Sequence, residues 1–137
     1  MSNFKWGILG PGGIATAFAE DLKKLEAHSI AAVGSRTLSN AQSFAHNFGG
    51  TAYGSYEELV ADPQVDAIYV ATPHPAHKEN VILALNAGKP VLCEKPFAVN
   101  AFEAQQMVDA AASNGVALLE AMCARFLPHY AKVREIV

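Results

Sequence analysis

Gly7-Ile8-Leu9-Gly10-Pro11-Gly12-Gly13-Ile14-Ala15 decides how the rest of this 137-residue chain is read. The apolar segment Phe4 to Leu9 enters it with β-strand character, and a helical run from Thr16 to Leu25 leaves it. Ile14, Phe18, Leu22 and Leu25 keep a 3.6-residue spacing and are expected on one helix face. Strand, glycine-rich turn and helix in that order, with Gly10-x-Gly12-x-x-Ala15 at the turn, match the G-x-G-x-x-G/A pattern of a dinucleotide-phosphate site. Each small residue has its own task. Gly10 permits the tight turn, Gly12 lets a pyrophosphate approach the backbone, and Ala15 keeps the helix close to the strand. The free N–H groups of the first helical turn, at Gly13 and Ile14, and the positive end of the helix dipole would face the phosphates. An ordinary β–α turn without a ligand can have the same composition, so the pattern takes its weight from its position.

Working outward, the composition is that of one globular α/β domain, 51% hydrophobic and 17% charged, long enough to bury about two-thirds of its unfolded surface. A net charge of −3 and the lack of a Lys/Arg cluster argue against a nucleic-acid partner. The apolar runs are far shorter than a membrane span, and the first residues lack the features of a signal peptide. Cys93 and Cys123 each sit in a mostly apolar segment and read as reduced core residues, which implies a cytoplasmic protein.

The remaining chain alternates strand and helix signals. Strands are expected at Ser29 to Gly34, Thr51 to Tyr53, Val65 to Ala71, Pro90 to Cys93 and Val116 to Leu119. Leu38, Ala41, Phe44, Ala45 and Phe48 keep helical spacing up to Gly49-Gly50. Ser55-Tyr-Glu-Glu58 and Asn100-Ala-Phe-Glu103 are capping-box starts, the first for a short helix ending before Pro63 and the second for one ending near Asn114-Gly115. Between them a helix is expected from Pro75 to Asn86, stopped by Gly88. This alternation predicts a Rossmann-type, doubly wound parallel sheet with helices on both faces. The last segment reads as a helix from Pro128 with Tyr130, Val133 and Val137 on one stripe. It ends without a cap, so the chain reads as cut inside a longer protein, leaving an apolar helix face without its cover.

In such a sheet ligands lie beyond the carboxyl ends of the strands, and four ends carry suggestive residues. The second strand ends in Ser35-Arg36-Thr37, where an NAD site usually has Asp or Glu. A hydroxyl followed by a guanidinium suits a 2′-phosphate, so NADP is expected over NAD. The fourth strand leads into Ala71-Thr72-Pro73-His74-Pro75-Ala76-His77, read as a loop on the nicotinamide or substrate side. Its H-x-x-H spacing has no accompanying Cys, Asp or Glu cluster, so no metal site is expected. The fifth strand ends in Glu94-Lys95-Pro96. Beside an oxidised nicotinamide, a second positive charge and partial burial would disfavour a lysine's protonated form, which makes Lys95 a candidate general acid/base. The sixth ends in Glu120-Ala-Met-Cys-Ala-Arg125, where Arg125 either orients a substrate, braces the cofactor loop or pairs with Glu120 or Glu94.

Taken together, Gly10-Pro-Gly-Gly-Ile-Ala15, Ser35-Arg36, Ala71-Thr72-Pro73-x-x-x-His77, Gly88-Lys89-Pro90-Val-Leu-Cys-Glu94-Lys95-Pro96 and Glu120-Ala-Met-x-x-Arg125-Phe126 occur in the order and spacing of one family. The chain resembles the N-terminal domain of the glucose–fructose oxidoreductase/inositol dehydrogenase (Gfo/Idh/MocA) family, and within it the NADP-dependent dihydrodiol and xylose dehydrogenases. His74 stands where many relatives have Asn and is shared with that subgroup; Cys123 replaces a Trp common there. The resemblance implies that Lys95 is the catalytic-site lysine. It also implies that Glu94 and the loop from Thr72 to His77 surround the nicotinamide, and that Arg125 lies near cofactor or substrate. It further implies residues 1–120 as the NAD(P)-binding domain and 121–137 as the start of a connection to a second, α+β domain that carries substrate and oligomer contacts. The expected activity is hydride transfer between a nicotinamide and a carbinol carbon of a sugar, polyol or diol, by a protein that is a homo-oligomer at full length. The alternative is a non-catalytic NAD(P)-binding sensor module, against which Lys95 argues, since a sensor needs no acid/base group there.

Overall fold

The structure, a computed structural model, describes residues 3–136. Six parallel strands form one sheet: β1 (Phe4–Leu9), β2 (His28–Gly34), β3 (Thr51–Tyr53), β4 (Ala67–Val70), β5 (Val91–Cys93) and β6 (Leu118–Glu120). Their order across the sheet is β3-β2-β1-β4-β5-β6, so the winding reverses between β1 and β4. That reversal opens the crevice in which ligands of doubly wound sheets bind.

The strands are short apolar runs because both faces are covered, and their alternation sorts the core into two halves. On one face Ile8, Val33 and Tyr69 meet the helices α1 (Gly13–Leu22) and α2 (Leu38–Phe48). On the other, Leu9, Ile68 and Val70 meet α3 (Tyr56–Ala61), α4 (His77–Asn86) and α5 (Ala101–Asn114). Among the described residues, the N-cap bond forms at both expected capping boxes, without the reciprocal bond to the cap N–H. Ser55 Oγ accepts the Glu58 N–H at 3.2 Å, and Asn100 Oδ1 accepts the Glu103 N–H at 2.9 Å. Trp6 stands edge-on to Phe18 of α1 with ring centres 5.3 Å apart, and its indole N–H donates to His28 at 3.2 Å.

Several expectations shift. α1 begins three residues earlier than Thr16 and stops at Leu22, where Lys24 and Leu25 close the end with i→i−3 bonds to Asp21 and Leu22. Its sheet-facing residues are Ala15, Ala19 and Leu22, while Ile14 and Leu25 are 47% and 52% exposed. Small alanines let the helix lie close on the sheet, so the bulky stripe is turned partly outward. Pro75 lies in a single 3₁₀ turn (His74–Ala76) that precedes α4 rather than inside the helix. The fourth strand is shorter than Val65 to Ala71, and the sixth is displaced to Leu118–Glu120.

Cys93 is buried, but Cys123 is exposed, on a 3₁₀ turn (Cys123–Phe126) beyond the sheet edge. It is therefore not a core residue. The last helix, α6 (Pro128–Ile136), buries none of its side chains among the described residues, with Tyr130 and Val133 about half exposed; Val137, expected on the same stripe, lies outside them.

Candidate functional site

The turn after β1 has the geometry its composition suggests. Gly10 has φ +93°, a conformation that side chains rarely adopt. A Cβ there would lie 2.8 Å from the Thr72 methyl and 3.1 Å from the Thr72 backbone nitrogen, so Gly10 also lets β1 and the β4 loop come together. Gly12 caps α1 with no side-chain bond to the first-turn N–H groups, and a Cβ on Gly12 or Gly13 would meet nothing within 4 Å. Open space above an uncapped helix start fits the pyrophosphate of a dinucleotide.

Two clefts flank this turn. One, of about 620 Å³, is lined by Arg36, Tyr56, Thr72, Pro73 and Asn80. Arg36 is exposed there, whereas Ser35 is buried and its Oγ accepts the Thr37 N–H at 3.3 Å. Ser35 thus shapes the end of β2, and Arg36 is the group open to a ligand. The second cleft, of about 730 Å³, runs between α1 and the β4–β6 half of the sheet. Ile14, Tyr69, Glu94, Lys95, Glu120 and Arg125 line it.

Lys95 rises from a loop held by contacts from β5, β6 and α4. Glu94 Oε2 accepts the Lys95 N–H at 3.0 Å, and Glu120 Oε1 accepts the Phe97 N–H at 3.0 Å. The Cys93 thiol donates to the Glu94 carbonyl at 3.4 Å, and burial pushes that thiol up to about 12, with the Glu120 and Glu94 charges adding to it. His77 is buried at the start of α4, with Nδ1 2.9 Å from the Pro96 carbonyl oxygen and Nε2 2.9 Å from that of Thr72. Both its nitrogens are engaged, so His77 joins two loops rather than facing a ligand. The Lys95–Pro96 peptide is cis.

The other expected residues fall around these. Ala71 donates its N–H to the Leu9 carbonyl at 2.9 Å, and Thr72 Oγ1 accepts from Asn80 at 3.1 Å. Pro73 is exposed, while His74 packs edge-on to His77 with ring centres 5.9 Å apart and its Nε2 buried without a partner. Among the described residues no three His, Cys, Asp or Glu side chains group as metal ligands, and no carboxylate lies within 4 Å of Arg125. Glu120 is instead occupied by the Phe97 amide.

Sequence reasoning gave no role to Tyr69 or Asn80. Tyr69 was visible as the one polar side chain in the strand Ala67–Val70, and its hydroxyl donates to Glu94 Oε1 at 2.5 Å. Burial pushes the phenol well above the ordinary tyrosine value, with the bond to Glu94 adding to the rise.

A parallel sheet wound both ways from a glycine-rich β–α turn, with that turn at the reversal point, defines the class of Rossmann nucleotide-binding domains. Comparison with known proteins narrows the class. The chain belongs to the oxidoreductase family with an NAD-binding Rossmann fold (GFO_IDH_MocA), whose family model matches residues 4–122. It is 48% identical over 136 residues to trans-1,2-dihydrobenzene-1,2-diol dehydrogenase of Mus musculus, covering 97% of this chain and 41% of the relative. It is 45% identical over 146 residues to D-xylose 1-dehydrogenase (NADP(+)) of Hypocrea jecorina, covering 97% of this chain and 37% of that one. Among solved structures, KijD10, a 3-ketoreductase from Actinomadura kijaniata in complex with TDP-benzene and NADP, superposes with a TM-score of 0.92 at 29% identity. That match covers 98% of this chain and 43% of KijD10. The chain thus spans about two-fifths of the length of the relatives it matches.

Proposed function

We propose that this chain is the cofactor-binding part of an NADP(H)-dependent oxidoreductase acting on a CH–OH group of a sugar, polyol or diol. The observation that carries the reading is the pair of clefts beside one glycine turn, with Arg36 in one and Lys95 in the other. Gly12, Gly13 and Ile14 offer first-turn N–H groups to a pyrophosphate, and Arg36 offers a planar fork of donors to a 2′-phosphate. Thr72 and Pro73 line the Arg36 cleft with His74 next to them in the same loop, and Arg125 lines the Lys95 cleft. The nicotinamide, when bound, supplies or accepts the hydride. Lys95 takes or gives the proton of the substrate hydroxyl, and the Glu94, Glu120 and His77 contacts fix the loop from which its ammonium extends.

The same reading takes residues 1–120 as the NAD(P)-binding domain and 121–137 as the start of a connection. The whole protein is read as a cytoplasmic homo-oligomer. No helix among the described residues is long and apolar enough to cross a membrane. The printed activities of the dihydrodiol and xylose dehydrogenases support the substrate class, and the cofactors named for the xylose dehydrogenase and KijD10 support NADP.

The test is reduction of NADP+ by the full-length protein with D-xylose and with trans-1,2-dihydrobenzene-1,2-diol, against a Lys95→Met variant. Loss of turnover by about 100-fold or more, with NADPH binding retained, is expected. Cofactor binding without turnover on any sugar or diol would favour a sensor.

A further inference from the structure

The hydroxyl of Tyr69 is buried in a place where a phenylalanine would satisfy the core. Tyr69 is 2% exposed, and its ring stacks on Phe18 of α1 with centres 4.0 Å apart and planes 18° from parallel. Burying a hydroxyl is favourable only when it finds a partner. Here the partner is the carboxylate of Glu94, 25 residues away in sequence, at 2.5 Å.

That carboxylate is held at both oxygens. Oε1 accepts from Tyr69 and Oε2 accepts the Lys95 N–H. The neighbouring loop contacts act further along: His77 holds Pro96 and Glu120 holds Phe97. Among the described residues, Glu94 is the only side chain bonded to the Lys95 main chain. Two hydrogen bonds hold the Glu94 carboxylate against rotation, and only the phenol restrains Oε1. Without that donor the carboxylate is free to leave the Lys95 amide and swing toward the Lys95 ammonium, an opposite charge on the adjacent residue.

We infer that Tyr69 is a positioning residue for the reaction, fixing Glu94 so that Glu94 in turn fixes the Lys95 backbone and stays away from its ammonium. The inference rests on the proposed role of Lys95 as acid/base. It assigns a positioning function to a strand residue in the wall of the Lys95 cleft.

The consequence is a split in kinetic parameters. In the full-length protein, with NADP+ and either D-xylose or trans-1,2-dihydrobenzene-1,2-diol, Tyr69→Phe lowers kcat by about 10- to 100-fold, the range for a hydrogen bond to a charged group. The KM for NADP+ stays within about twofold, because the pyrophosphate and 2′-phosphate contacts lie elsewhere. The decisive comparison is the double-mutant cycle with Glu94→Gln. If Tyr69 acts through Glu94, then Tyr69→Phe has less than about a twofold effect on kcat in the Glu94→Gln background. Tyr53→Phe is the control, since it removes the same atom from a phenol–carboxylate bond to Asp62 outside the Lys95 cleft. It leaves kcat unchanged.

Should Tyr69→Phe fail to fold, the Glu94→Gln variant alone reads the same split, and an unchanged kcat there overturns the inference. So does an equal effect of Tyr69→Phe in both backgrounds, which marks a packing role. Turnover by the wild type with Tyr69→Phe fully active removes this role and leaves the oxidoreductase reading standing. A wild type that binds NADPH and transfers no hydride removes both.

Discussion

One imidazole ties together the ends of two strands: His77 Nδ1 lies 2.9 Å from the carbonyl oxygen of Pro96, nineteen residues further along. Its other nitrogen lies at the same distance from the Thr72 carbonyl oxygen. The loops after β4 and β5 are thereby fixed to each other by a side chain that is 1% exposed. His77→Leu removes the imidazole that bridges the Thr72 and Pro96 loops, at about 1–3 kcal/mol for the hydrogen bond it donates to one of these carbonyls. A fall in unfolding midpoint on the order of 10 °C follows for a domain of this size. His77→Gln, which keeps one donor, is expected to recover part of the loss in the same thermal melt.

Gly10 and Gly12 separate stability from binding. A side chain at Gly10 needs φ +93° and meets the Thr72 backbone, so Gly10→Ala costs roughly 1–3 kcal/mol in denaturant unfolding. A side chain at Gly12 meets no protein atom. Gly12→Ala is expected to leave unfolding nearly unchanged while weakening NADPH binding at least tenfold, as measured by fluorescence titration.

On the proposed reading, Arg36 sets the choice between the two nicotinamide cofactors. Removing a guanidinium from a 2′-phosphate forfeits about 1.5–3 kcal/mol, the strength of a hydrogen bond to a charged group. Arg36→Ala is therefore expected to weaken NADP+ roughly 10- to 100-fold and to leave NAD+ affinity as it was. Equal weakening of both, or of neither, would remove the NADP preference.

The two thiols differ in accessibility. Cys123 is expected to react with a thiol reagent in the native protein, and Cys93 only after unfolding. Burial raises the Cys93 thiol from 9.0 to about 12, so between these pH values the unfolded chain releases a proton that the folded one retains. Stability consequently falls as pH rises above 9, by at most about 1.4 kcal/mol per pH unit from this group. Cys93→Ala should flatten the decline in urea unfolding across that window.

Much of this architecture is legible in the chain because local signals and burial agree. The strands Phe4–Leu9 and Thr51–Tyr53 and the caps at Ser55 and Asn100 lie where apolar runs and side-chain chemistry put them. α1 was harder to read because Ile14 and Leu25 keep helical spacing yet face outward, and Ala15 and Ala19, which carry no strong apolar signal, make the contact. Cys123 looked interior because its neighbours are apolar, but those neighbours lie past the sheet edge, with Phe126 79% exposed. Glycines and charged strand ends announce the site, since such residues need a reason to be there. The bonds from Tyr69 to Glu94 and from Glu120 to Phe97 join residues more than 20 positions apart, and nothing short of the sheet order reveals them.

Trp6 gives this domain an optical reporter. It is the one tryptophan among these 137 residues, edge-on to Phe18, whose ring in turn lies flat on Tyr69. Its emission therefore senses the seating of α1 on the sheet, the same contact that carries the glycine turn at one end and the Glu94 bond at the other. Quenching or energy transfer to a reduced nicotinamide would register ligand arrival without any dye, and a spectral shift in a Tyr69 variant would register loosening of the helix.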